Sequence, residues 1–163
     1  HSLARTFVAM GYCAFRPNFR GVGESEGTHD EGRGETDDML AVIEEAKRRC
    51  GDIPVVLAGF SFGGFVQTRV AKRLAEANHP IQRMVLVGTA AGFVEGTRSY
   101  DTEAVPNDTI VIHGSTDETV PLANVLKWAE PLELPVVVVP GADHFFHRRL
   151  HVIREIITRG WRH

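Results

Sequence analysis

Three residue types in this chain can do chemistry together: a serine set between glycines, an aspartate and a histidine. Ser61 stands in Gly59-Phe60-Ser61-Phe62-Gly63, after the apolar run Pro54-Val55-Val56-Leu57-Ala58 and before a segment of helical spacing. A strand that turns sharply into a helix strains its corner residue and needs small neighbours. A serine at that corner presents its hydroxyl above the sheet edge, beside a helix N-terminus. A serine nucleophile needs a base, and the base needs an orienter. Asp117 follows the apolar run Thr109-Ile110-Val111-Ile112, in His113-Gly114-Ser115-Thr116-Asp117. His144 follows the apolar run Pro135–Val139, in Pro140-Gly141-Ala142-Asp143-His144. In open parallel sheets, sites form outside the carboxyl ends of strands, and the chain order Ser, Asp, His fits this arrangement. The chemistry such a set would do is acyl transfer, with Ser61 as nucleophile, His144 as base, Asp117 as the acid that orients it, and the backbone N–H of Phe62 as one oxyanion donor.

The elements that must position these residues alternate strand and helix, which predicts an α/β fold with a mostly parallel sheet flanked by helices. Residues 1–11 read as the body of a helix closed by Gly11, with Leu3, Phe7 and Met10 on one face. Gly11–Phe15 reads as a strand ending at Arg16-Pro17, and Asn18–Gly34 as a glycine-rich loop. A helix runs from about Thr36 to Cys50-Gly51. Val55–Ala58 is the strand before Ser61, and Phe65–Ala77 the helix behind it, with Val66, Val70 and Leu74 at helical spacing. Met84–Val87, Ile110–His113 and Val136–Val139 are further strands. Leu122–Ala129 is a short helix, and Phe145–Trp161 a closing helix with Leu150, Ile153 and Ile157 on one face.

Each site residue has a plainer reading beside the chemical one. Ser61 also suits a tight strand–helix junction as a small residue. Asp117 is a favoured cap for the helix near 120–129, a role compatible with catalysis. His144 also reads as an ordinary loop histidine. Asp143 and Glu118 compete with Asp117 as the acid, although adjacency denies Asp143 the geometry to orient His144. His147 and His151, four residues apart, invite a metal reading together with His144 and Asp143. Arg148, Arg149 and Arg154 make that stretch a solvated helix surface instead, and no metal is expected. Gly21-Val22-Gly23-Glu24-Ser25-Glu26-Gly27 lacks the Lys-Ser/Thr ending of a phosphate loop, and its glutamates repel phosphate. Arg20 beside it reads as a support for the loop. No cofactor is expected.

The G-F-S-F-G elbow, the H-G-x-x-D-x-x-V-P loop and the G-A-D-H-F-F turn resemble the α/β-hydrolase superfamily, most closely its small, lidless members related to dienelactone hydrolase. Asn18-Phe19-Arg20-Gly21-Val22-Gly23-Glu24-Ser25-Glu26-Gly27 is similar to a loop of the same group. The resemblance covers nearly the whole chain and implies Ser61, Asp117 and His144 as nucleophile, acid and base. Dienelactone hydrolase uses a cysteine nucleophile, so the serine here argues against its lactone substrate. In that family three strands and an oxyanion-hole loop precede the first helix seen here. The resemblance therefore implies that residues 1–163 form a single α/β-hydrolase domain lacking its N-terminal strands and a second oxyanion donor. Lid domains of the superfamily insert in the interval that is Gly88–Thr109 here, which is too short for a separate cap. An open cleft for a small ester or thioester is expected.

Bulk properties set the outer bounds. The chain has 163 residues, 43% hydrophobic and 24% charged, as for a globular domain with a real core. A net charge of −3 gives no reason for a nucleic-acid or anionic-membrane partner. The two cysteines make no disulfide framework and fit a cytoplasmic setting. No apolar run approaches a membrane span. The expected function is a serine hydrolase of a carboxylic ester or thioester. The alternative is a catalytically silent module of the same fold, kept for binding or assembly.

Overall fold

The computed structural model describes residues 2–15, 32–96 and 98–161. The chain divides into two compact units, residues 1–55 and 56–163.

The first unit holds α1 (Ser2–Ala9) and α2 (Arg33–Cys50). α1 ends at Gly11, whose φ of 96° only glycine adopts cheaply. The Tyr12 N–H then donates back to the Phe7 carbonyl at 3.0 Å, and the Tyr12 ring meets Phe7 edge-on. α2 opens at Gly32, whose N–H donates to Glu35 Oε1 at 2.9 Å. Its last turns carry Glu45 paired with Arg48 and Arg49 on an exposed face. Met39 and Ile43 are its buried apolar residues. The strand expected at Gly11–Phe15 is not formed: Gly11 is a turn, and Tyr12–Phe15 is irregular and mostly exposed. A strand exists only through its partner's hydrogen bonds, and this segment pairs with no strand among the described residues. The sequence offered β-favouring side chains but could not supply the neighbour. Arg16-Pro17, Arg20 and the glycine-rich stretch up to Glu31 lie outside the described residues. Cys13 and Cys50 are both free thiols.

The second unit is built on four parallel strands, β1 (Val56–Phe60), β2 (Arg83–Val87), β5 (Ile110–Gly114) and β6 (Val137–Val139), in the order β1-β2-β5-β6. The register sets Gly59 beside Leu86, Val87 beside Ile112 and Gly114 beside Val139. β5 is buried at every position, and β2 at all but the first, as parallel strands covered on both faces require. That is why these strands read as unbroken apolar runs rather than alternating ones. A short antiparallel pair, β3 (Gly92–Phe93) and β4 (Ser99–Tyr100), fills the interval between β2 and β5. Asn124 on α4 (Leu122–Ala129) ties to it, donating to the carbonyls of Ala91 and Phe93 at 2.9 and 2.7 Å.

α3 (Phe62–Glu76) follows β1 directly and buries Phe65, Val66, Val70 and Leu74. The close strand–helix approach explains the glycines. A Cβ on Gly59 would lie 2.6 Å from Gly64 Cα and 2.7 Å from the Gly63 carbonyl. The closing helix, α5, runs over Leu150–Gly160 and not from Phe145. Residues 145–149 form turns in which Phe146 and Arg148 hold φ of 53° and 63°. These turns sink Phe146 into the core while Phe145 stays exposed. Ile153 and Ile157 lie on the buried face of α5, whereas Leu150 at its start is exposed. Among the described residues no helix is long and apolar enough to cross a membrane.

Candidate active site

Ser61 sits between β1 and α3 with φ 57° and ψ −123°, a backbone region that a non-glycine residue occupies only under constraint. The constraint is visible in its hydrogen bonds. The Ser61 N–H donates to the Val87 carbonyl at 3.0 Å, and its own carbonyl accepts from Gly64 and Ala90. The corner is thus held from β2 and from α3 at once. Phe62, whose N–H was expected to face an oxyanion, is the first residue of α3. Its ring packs toward Phe65 and Tyr100.

Asp117 and His144 come from the loops after β5 and β6, and those loops are laced together. The Ser115 N–H donates to the Val139 carbonyl, and the Thr116 N–H and hydroxyl both donate to the Ala142 carbonyl. The Gly141 N–H returns to Ser115 Oγ at 2.7 Å. Gly114 permits this approach, since a Cβ there would lie 2.2 Å from the Ala142 carbonyl oxygen.

The result brings three distant residues into contact. His144 Nε2 lies 3.0 Å from Ser61 Oγ, and His144 Nδ1 lies 2.7 Å from Asp117 Oδ2. The other oxygen, Asp117 Oδ1, accepts the N–H groups of Thr119 and Val120 at 2.9 and 2.7 Å. An acceptor carboxylate on Nδ1 leaves Nε2 unprotonated toward the serine hydroxyl. Asp117 and His144 are both buried. Burial alone would raise the Asp117 pKa. The hydrogen bonds from His144 and the Val120 N–H outweigh it and hold the carboxyl below its ordinary value. Phe60 and Phe145 flank the imidazole, with ring centroids 4.9 and 5.0 Å from it. Gly88, at φ 57°, leaves room on a further side, since a Cβ there would lie 3.3 Å from His144 Cε1.

The competing residues go elsewhere. The Asp143 carboxylate accepts from the His147 N–H at 2.9 Å and pairs with the His147 ring rather than with His144. That backbone hydrogen bond, opposed by desolvation and aided by the His147 ring, lowers the Asp143 pKa. Glu118 and His151 are exposed. Among the described residues, no three His, Cys, Asp or Glu side chains cluster closely enough to hold a metal ion. Asp117 does not cap α4, whose N-cap is Pro121; its carboxylate closes the turn just before that helix. The places of Phe60 and Gly88 beside the imidazole carry no signal in the sequence.

Comparison with known proteins adds an independent line. Residues 1–104 match the family model described as alpha/beta hydrolase fold. An uncharacterized protein of Rickettsia prowazekii is 30% identical over 94% of this chain and 66% of its own length. The lysophosphatidylserine lipase ABHD12 of Gallus gallus is 35% identical over 60% of this chain, but only 26% of that protein. Among solved structures, a lidless a/b serine hydrolase from Xanthomonas campestris superposes with a TM-score of 0.73 at 36% identity, covering 88% of this chain and 62% of that one. An alpha-beta serine hydrolase homologue from Coxiella burnetii gives 0.80 at 34% identity, over 99% and 74%. The chain thus spans just under two thirds of the first curated relative and about a quarter of the second.

Proposed function

The chain belongs to the alpha/beta hydrolase family, and from that premise we propose that it is a serine hydrolase cleaving a small carboxylic ester or thioester through an acyl-enzyme. The observation that carries the reading is the position of His144, within hydrogen-bond distance of both the Ser61 hydroxyl and the Asp117 carboxylate.

Ser61 Oγ attacks the acyl carbonyl carbon as His144 Nε2 takes the hydroxyl proton. Negative charge gathers on the carbonyl oxygen, where the Phe62 N–H at the start of α3 is one donor. The tetrahedral species collapses. The carbon–oxygen or carbon–sulfur bond breaks, and His144 hands its proton to the departing alkoxide or thiolate. Water then attacks the acyl-enzyme, again giving a proton to His144. The acid leaves, and the proton returns to Ser61. Throughout, Asp117 accepts the Nδ1–H, keeping the ring in one tautomer and stabilising the imidazolium. The substrate class rests on the short β3–β4 hairpin, which stands where a lid domain would otherwise lie. It rests also on the relatives, which include an a/b serine hydrolase without lid and a lysophosphatidylserine lipase. The free Cys13 and Cys50 are in keeping with a cytoplasmic place of action.

A fluorophosphonate probe tests the reading. Labelling of the purified protein that vanishes in Ser61→Ala supports it. Hydrolysis of p-nitrophenyl esters and of acyl thioesters, with peptide p-nitroanilides untouched, supports the acyl-group assignment. Absence of Ser61-dependent labelling overturns it in favour of a silent binding module.

A further inference from the structure

The penultimate residue of β5 is a histidine that the mechanism above does not use. His113 is wholly buried, in a strand where every other residue from Ile110 to Ile112 is aliphatic. A leucine there would need no polar partner, whereas an imidazole does. Its Nε2 lies 2.8 Å from the Val120 carbonyl oxygen and 3.3 Å from Asp117 Oδ2. Both neighbours are acceptors, so Nε2 carries the hydrogen. The opposite nitrogen, Nδ1, is buried and has no hydrogen-bond partner among the described residues.

We propose that His113 is a positioning residue of the reaction: it clamps the 117–120 turn, and through that turn holds the carboxylate that orients His144. The inference rests on the hydrolase reading above. Val120 is the link, because one residue serves both ends of the clamp. Its carbonyl accepts from His113, and its N–H donates to Asp117 Oδ1 at 2.7 Å. The order of contacts is therefore His113, Val120, Asp117, His144, Ser61. The two groups lie in adjacent peptide planes that meet at the Val120 Cα, so without the first contact the φ and ψ of Val120 lose an anchor and the N–H that reaches Asp117 Oδ1, one of the two backbone donors to that oxygen, is less firmly placed. The second contact, to Oδ2, places the positive end of the N–H dipole on the same oxygen that meets His144. Burial lowers the His113 pKa despite the Val120 carbonyl and the Asp117 carboxylate, which favour its charged form. A neutral ring holds the carboxylate without competing with His144 for its charge.

Three variants test this. His113→Gln sets an amide N–H near the position of Nε2, His113→Asn sets one near Nδ1, and His113→Leu sets none. The expected result is that Leu and Asn lower kcat per fluorophosphonate-titrated site by about 10², through misplacement of the catalytic groups, with KM little changed. Gln recovers most of the rate. The far-downfield proton of the His144–Asp117 hydrogen bond, read by ¹H NMR, stays sharp in Gln and broadens in Asn and Leu. Equal behaviour of Gln and Asn in both measurements would overturn the proposal, and so would full activity per site in Leu. The NMR contrast does not need turnover. A wild-type protein without Ser61-dependent labelling therefore sinks the hydrolase reading, while the resonance still decides the role of His113.

Discussion

At the carboxyl ends of β1, β2, β5 and β6, Ser61 and Gly88 hold positive φ, and Asp117, His113 and His144 bury ionisable groups. At the amino ends of β2 and β5 the backbone is relaxed, with no positive φ over 82–84 or 108–110. There the half-exposed Arg83 donates to the carbonyls of Asp108 and Gly160 at 3.0 and 2.8 Å, and its guanidinium lies 5.1 Å from the centre of the Trp161 ring. One end concentrates strain and buried polarity around a hydroxyl. The other ties the start of β2 to the approach to β5 and the end of α5 through one flexible cation. The difference follows from parallel topology: helices begin at the carboxyl ends, so their N–H groups and positive dipole ends gather there and favour developing negative charge. Reactivity and anchoring are thereby separated by the length of a strand.

Substitutions at the two ends should part company, and the size of each effect sharpens the contrast. The largest is expected at the carboxyl end. Asp117→Asn keeps an acceptor for the backbone donors but favours the wrong His144 tautomer, so kcat/KM on a p-nitrophenyl ester should fall by about 10⁴ while thermal stability changes little. A comparable loss of stability would blur the division. Next is Gly59→Ala, whose Cβ would collide with backbone atoms of Gly63 and Gly64. A stability loss of about 3 kcal/mol is expected by urea unfolding, with activity lost in parallel because the corner carrying Ser61 must move. Arg83→Ala, at the amino end, should lower stability by about 1–2 kcal/mol through two lost carbonyl partners and leave kcat unchanged. A changed kcat would mean that the two ends communicate.

The smallest effect is in pH dependence. The folded His113 binds a proton less readily than an unfolded one, whose value is near 6.5. As pH falls below that value, the unfolded chain takes up a proton that the folded chain refuses, and stability declines. Asp117 has a depressed pKa, so its contribution is lost only below its ordinary value of 3.8, as pH falls toward the folded one. Melting temperatures from about pH 8 to about pH 5 should therefore fall less in His113→Gln than in the wild type.

Much of the arrangement could be read from residue order. The elbow glycines, the apolar runs before Asp117 and His144, and the helix behind Ser61 are local patterns, and each appears within a few residues of the expected bounds. The failures have different causes. Gly11–Phe15 has strand-like side chains, but pairing depends on a partner that no local pattern names. Phe145–Arg149 was read as the first turns of a helix because a helical period extends backwards without a stop signal, whereas the burial of Phe146 demands turns. Adjacency already argued against Asp143 as the acid, but where its side chain goes instead, to His147, is set by the turn and not by any local pattern.

Residue types and chain order alone determined which groups could serve as nucleophile, base and acid, because strand–turn–helix grammar is written in short-range sterics and hydrophobic period. Tertiary structure alone decided that the imidazole meets both partners, that Gly114 lets two loops interlock, and that a buried histidine braces the carboxylate. The first two depend on distances between segments dozens of residues apart, and the third on a turn whose shape the packed strand sets. Only the packed chain sets such distances.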